Sequence, residues 1–149
     1  QHRHHCQNAD PYFLHVFRAS CCVICCVLIL NTNVGKRMQN AARAKTLYRE
    51  QPFVLGVDAK EFYPDQKKGE MVLIQGIIDA YFEEDGEIIV LDYKTDRVQT
   101  EAELKDRYRE QLCLYTKALE QITRKKVKEQ IIYSFTLRKE IHLEDYKND

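Results

Sequence analysis

Two apolar runs, residues 70–82 (EMVLIQGIIDAYF) and 87–93 (EIIVLDY), flank the tetrapeptide Glu83-Glu84-Asp85-Gly86, and this pattern constrains the chain more than any other. Both runs carry the β-branched and aromatic residues that suit a pleated, half-buried surface. Asp-Gly between such runs is a strong signal for a two-residue hairpin turn, because that turn needs positive φ at both central positions. The spacing predicts an antiparallel hairpin. With Asp85 and Gly86 as the turn, opposed residues have numbers summing to 171, so Asp79 faces Asp92 and Ile77 faces Lys94. Side chains alternate along a strand, so Asp92 and Lys94 share a face, and opposed Cβ atoms on one face are about 4.5–5.5 Å apart. Asp79, Asp92 and Lys94 are expected to converge. A turn one residue longer would slip that register.

Two facing carboxylates amid Ile77, Ile78, Ile88, Ile89, Val90 and Leu91 are costly to bury as unpaired like charges. A hard divalent cation with oxygen ligands, such as Mg²⁺, satisfies both. From spacing alone, a surface hairpin with incidental acids, Lys94 neutralising Asp92, remains equally open.

The other segments follow from local signals. Residues 36–51 (KRMQNAARAKTLYREQ) are good helix formers, with Met38, Ala41, Ala42, Lys45 and Tyr48 at helical spacing, and Pro52 is expected to end that helix. Residues 53–57 (FVLGV) read as a short strand, which residues 57–63 continue or pair with. Residues 64–69 read as a polar loop. Residues 100–122 read as a long helix: Thr100 caps it, and Glu101 and Glu103 occupy the turn where the dipole favours acids. Leu104, Tyr108, Gln111, Leu112, Tyr115, Ala118, Leu119 and Ile122 form its stripe. Residues 124–128 are a basic connection, residues 129–137 a strand, and the remainder a polar tail.

The chain's 149 residues suffice for one domain. Lys plus Arg and Asp plus Glu are both 23, which excludes a wrapper of nucleic acid driven by bulk charge. Residues 1–33 differ in kind: they hold no Glu, no Lys and one acid, Asp10. The apolar run 19–30 is too short to span a bilayer, and as a signal-peptide core it lacks a small-residue cleavage site. Cys21, Cys22, Cys25 and Cys26 admit three readings: a metal or iron–sulfur site, a buried strand or short helix, or sequence foreign to the domain, the last shared with the cluster of His2, His4 and His5. Residues 1–34 are therefore expected to be a foreign or disordered stretch, and residues 35–149 a partial domain. One cysteine, Cys113, in that body fits a reduced, cytoplasmic protein.

Gly76-Ile77-Ile78-Asp79, then Leu91-Asp92-Tyr93-Lys94-Thr95-Asp96, then Gln111 and Tyr115 four residues apart, resemble the signature of RecB-type PD-(D/E)xK nucleases. From about Gly35 to His142 the chain is similar to the C-terminal nuclease domain of AddA-type helicase–nucleases. The resemblance implies an α/β, restriction-endonuclease-like core: a mixed sheet whose β-hairpin packs against flanking helices. It implies a Mg²⁺-dependent deoxyribonuclease, Mn²⁺ substituting, acting in double-strand break repair by homologous recombination. Asp79, Asp92 and the Tyr93 carbonyl would hold the metal. Lys94 would orient the attacking water and offset phosphate charge. Gln111 and Tyr115 share a helix face over the hairpin. Glu50 matches an acid that ends the preceding helix in this class. Single-stranded DNA is the implied substrate and an AddB-type protein the implied partner, with no membrane. Arg97, Arg107 and Arg124 are the candidate DNA contacts, and nothing indicates base readout.

Two departures qualify this. The family's upstream metal-binding His has no match: His2, His4, His5 and His15 lie in the foreign-looking stretch, and His142 follows the last expected strand. The chain has no G-x-x-x-x-G-K-[ST] loop, so no ATP site is expected. It reads as a C-terminal fragment of a larger polypeptide. The rival readings are a catalytically incomplete fragment that only binds DNA or a partner protein, and a small protein tethered by residues 19–30.

Overall fold

The computed structural model of the chain describes residues 23–61, 65 and 69–143. Cys6, Cys21, Cys22, the histidines before residue 16 and most of the loop expected at 64–69 lie outside them. The elements are α1 (Val23–Leu30), α2 (Asn33–Arg43), β1 (Leu47–Asp58), a 3₁₀ turn (Ala59–Glu61), β2 (Met71–Glu84), β3 (Glu87–Lys94), α3 (Glu101–Thr123), β4 (Val127–Ser134) and β5 (Lys139–Leu143). The strands form one sheet in the order β1-β2-β3-β4-β5. Neighbours are antiparallel except β3 and β4, which run parallel with α3 as the crossover. Among the described residues no helix is long and apolar enough to cross a membrane.

Each face of the sheet has its own core. Under α3, Leu104, Leu112, Tyr115, Ala118 and Leu119 pack on Phe53, Leu55, Ile78, Tyr81, Ile88 and Val90. On the other face Ile29, Val34, Met38 and Ala41 pack on Ala80, Phe82, Ile89, Leu91, Ile131 and Tyr133. Residues on both sides of Gly35 thus share that second core. A Cβ at Gly35 would sit 1.9 Å from the Ile29 carbonyl oxygen, so only glycine lets α2 turn this tightly against α1. Thr32 caps α2, its hydroxyl accepting from the Gly35 N–H.

Three expectations need correction. The helix expected at 36–51 ends at Arg43, and residues 47–58 are strand. Pro52 lies inside β1 opposite Ile77, which is allowed because β1 is an edge strand whose outer side needs no ladder donor. The strand expected at 129–137 is Val127–Ser134, and part of the expected polar tail is β5, whose Ile141 and Leu143 are buried. Ile122, expected in the buried stripe of α3, is 53% exposed.

The hairpin follows its arithmetic. Ala80 pairs with Leu91, Tyr81 with Val90, Phe82 with Ile89 and Glu84 with Glu87, while Asp85 and Gly86 have φ of 54° and 82°. Ala80–Leu91 is the last paired position toward the strand ends, and β2 runs on to Met71 beside β1 alone. Ile77 therefore does not pair with Lys94. Strict alternation also breaks here, for Ile78 and Tyr81 face α3 whereas Ala80 and Phe82 face α2. Asp79 lies at that break.

Candidate active site

The hairpin, the C-terminal end of β3 and the middle of α3 meet around Asp92. Asp92 is 1% exposed, one of two buried polar residues among those described. Its Oδ2 is 2.7 Å from the Lys94 ammonium, yet no hydrogen bond of good geometry reaches that oxygen. Burial raises the Asp92 pKa to about 6; Lys94 pulls it down, and the adjacent Asp79 carboxylate pushes it up by charge and by a shared hydrogen bond. The two acids therefore stand side by side, as the register predicts. Asp79 is fixed in turn by the Tyr93 backbone N–H, which donates to its Oδ2 at 2.9 Å.

Lys94 is the hub. Its ammonium donates to Gln111 Oε1 at 3.1 Å and stands 3.9 Å from the centroid of the Tyr108 ring. Gln111 Nε2 donates to the Tyr115 hydroxyl at 2.6 Å, and that hydroxyl donates to the Ile77 carbonyl at 3.0 Å. Gln111 and Tyr115 are one helical turn apart, so one face of α3 ties the end of β3 to β2. Burial and the charges of Asp92 and Asp79 raise the Tyr115 pKa. Phe53 meets the Tyr115 ring edge-on at 5.6 Å. A Cβ at Gly76 would lie 2.7 Å from the Phe53 ring, so glycine there makes room for that packing.

Sequence reasoning missed two participants. Tyr108 was assigned to the apolar stripe, and Asp96 received no role. Tyr108 O–H donates to Asp96 Oδ1 at 2.7 Å, and Arg107 Nη1 donates to the same oxygen at 2.9 Å. The available signal was spacing: Tyr108 is three residues before Gln111 on one helix face.

Other candidates fall elsewhere. Glu50 is in β1, not at a helix end; it is exposed, has φ of 48°, and stands in the gap between the pairs Arg49–Ala80 and Gln51–Ile78, opposite Asp79. Arg97 is exposed in the loop after β3, and Arg107 is engaged by Asp96. Arg124 is the left-handed C-cap of α3. It adjoins Lys126, whose carbonyl meets Ile88 at the far end of β3, so it is remote from Lys94. His142 is half-exposed between Glu129 and Glu140, away from Asp92.

The PD-(D/E)XK nuclease superfamily profile matches residues 30–147. This chain belongs to the PD-(D/E)XK nuclease superfamily. Its mixed sheet with helices on both faces is the restriction-endonuclease-like α/β fold of that family. Its relatives include the nuclease-bearing chains of ATP-dependent helicase/nucleases. The chain is 45% identical over 109 residues to the one from Thermoanaerobacter sp. (strain X514), covering 70% of this chain and 9% of the relative. It is 42% identical over 114 residues to the one from Clostridium botulinum (strain Alaska E43 / Type E3), covering 74% and 9%. With the one from Lachnoclostridium phytofermentans the figures are 40% over 143 residues, 72% and 10%. The chain thus spans about a tenth of the length of these relatives.

Superfamily members generally use divalent metal ions. The residues here fit one: two adjacent carboxylates supply hard oxygen donors, and the buried Asp92 Oδ2 lacks a well-aligned hydrogen bond. The set is small, for among the described residues no group of three or more His, Cys, Asp or Glu side chains is placed to hold a metal.

Proposed function

We propose that this domain hydrolyses DNA phosphodiester bonds with Mg²⁺, or Mn²⁺ in its place, held by Asp79, Asp92 and the Tyr93 carbonyl. The observation that carries the reading is the buried Asp92–Lys94 pair beside Asp79. Such a cation supplies Lewis-acid polarisation of a phosphate and acidification of a water. Asp79 and Asp92 provide the negative charge that draws it in. The Tyr93 N–H keeps Asp79 turned toward Asp92. Lys94 places a fixed positive charge where charge grows on the scissile phosphate, a preorganised electrostatic role. Gln111 orients that ammonium, and Tyr115 braces Gln111 against β2. Arg97 and Arg107 are the backbone-phosphate candidates nearest in sequence to this site; such contacts hold DNA without reading its bases.

The wider context follows from the relatives' names. A nuclease joined to a helicase suits single-stranded DNA released by unwinding, with an AddB-type protein as partner and double-strand break repair by recombination as the setting. A second reading, a folded domain that binds DNA or a partner protein without cutting, is favoured by the absence of a third acidic or histidine ligand among the described residues. Incubation of the chain with labelled single-stranded DNA and Mg²⁺ separates the two. Cleavage that is abolished by EDTA and by Asp79→Ala supports the nuclease. Binding without cleavage supports the second reading.

A further inference from the structure

We propose that Tyr108, anchored by Asp96, is a positioning residue for the Lys94 ammonium; the inference rests on the reading of Lys94 given above. A lysine side chain carries about 2 kcal/mol of rotamer entropy on a flexible four-carbon stem, so a fixed charge at its end needs a clamp. Three groups supply it. Asp92 Oδ2 lies at 2.7 Å, Gln111 Oε1 at 3.1 Å, and the Tyr108 ring centroid at 3.9 Å from Nζ. The negative face of an aromatic ring attracts an ammonium at this range. The ring is the clamp's third side, and unlike the carboxylate it has no oxygen that competes for a metal.

The ring is itself fixed. Its hydroxyl donates at 2.7 Å to Asp96 Oδ1, a charge-assisted bond, and Arg107 Nη1 holds the same oxygen at 2.9 Å. The Asp96 backbone is pinned by the Thr136 hydroxyl, which donates to its carbonyl at 2.7 Å. Asp96 follows Lys94 by two residues, while Tyr108 lies on α3. The contacts Lys94–Tyr108–Asp96 therefore close a ring between the loop after β3 and the helix above it.

The test is the NMR position of the Lys94 ε-methylene protons, which lie over the ring and are expected upfield of ordinary lysines. Tyr108→Leu and Asp96→Ala are expected to return them toward the ordinary position, and Tyr108→Phe to retain much of the shift. In cleavage assays Tyr108→Leu is expected to lower kcat about tenfold, as a cation–π contact of intermediate strength would. KM for DNA and Mn²⁺ affinity stay unchanged, and Tyr108→Phe restores most of the rate. Unshifted Lys94 protons in the wild type, or a shift that survives Tyr108→Leu, overturn the inference whatever the activity. If that variant does not fold, a shift that survives Asp96→Ala overturns it equally, since the Asp96 side chain is at the surface. Wild-type cleavage by Lys94→Ala would instead remove the reading of Lys94 and leave the proton shifts to decide the ring's role.

Discussion

Asp92 Oδ2 and Lys94 Nζ are 2.7 Å apart with side chains 2% and 13% exposed, so an acid and a base two residues apart on β3 share one buried pocket. Two opposite charges in such a pocket attract strongly, but each has given up water to be there. Burial outweighs the pairing at Asp92, whose pKa rises from 3.8 to about 6.

That shift fixes the sign of a pH effect. The folded state holds the Asp92 proton more tightly than the unfolded chain, so this group adds stability as pH falls from above 6 toward 3.8. The ceiling is on the order of 3 kcal/mol. Glu84 and Glu129, both held low by hydrogen bonds from Arg37, act oppositely: their stabilisation is present above the ordinary carboxylate pKa and is lost as pH falls through the folded values. Urea denaturation at pH 7, 6 and 5 should show wild type gaining stability relative to Asp92→Asn. Parallel pH curves would show that Asp92 does not titrate in this range.

Metal addition tests the same pocket. Mg²⁺ or Mn²⁺ that binds only the folded state stabilises it by about 2.7 kcal/mol at one hundred times its Kd. Thermal melts should rise with either ion in wild type and stay level in Asp92→Asn. An equal rise in both proteins would place the ion elsewhere.

Gly35→Ala tests the α1–α2 corner. The added carbon would fall 1.9 Å from the Ile29 carbonyl oxygen, and backbone must move to admit it. A loss of about 1–3 kcal/mol or more in urea denaturation is expected, the range for overpacked sites. A neutral substitution would show that α1 does not pack on Gly35.

Arg37 joins α2 to β2 and β4. Its guanidinium makes paired bonds to Glu84 at 2.7 and 3.1 Å and to Glu129 at 2.8 and 3.0 Å. Arg37→Ala strands two half-buried acids near each other and should cost about 1.5–3 kcal/mol. In a double-mutant cycle with Glu129→Gln the losses should fall short of additivity by at least about 0.5 kcal/mol. Strict additivity would mean the Arg37–Glu129 pair contributes nothing.

The parts of the site within the hairpin were legible because Asp85-Gly86 sets the register, and the register brings Asp79 to Asp92. Thr100, which accepts from the Glu103 N–H at 3.3 Å, fixed the start of α3 and so the heights of Gln111 and Tyr115. Pro52 misled, because proline stops a helix and is equally at home on an edge strand, and only the sheet order distinguishes the two. β5 was hidden because Lys139, Glu140 and His142 give it a polar sequence, although Ile141 and Leu143 alternate inward. Tyr108 was misjudged because an aromatic at helical spacing usually packs, and its contact with Lys94 arises only when α3 crosses the end of β3.

The most direct test of the central claim is cleavage of labelled single-stranded DNA by wild type and Lys94→Ala under the same Mg²⁺ concentration, with Mn²⁺ binding measured alongside. Lys94 acts on the transition state rather than on the ion, so the variant should bind Mn²⁺ and DNA as wild type does and lose most of its cleavage, about a hundredfold or more. Cleavage by Lys94→Ala at the wild-type rate would contradict the account.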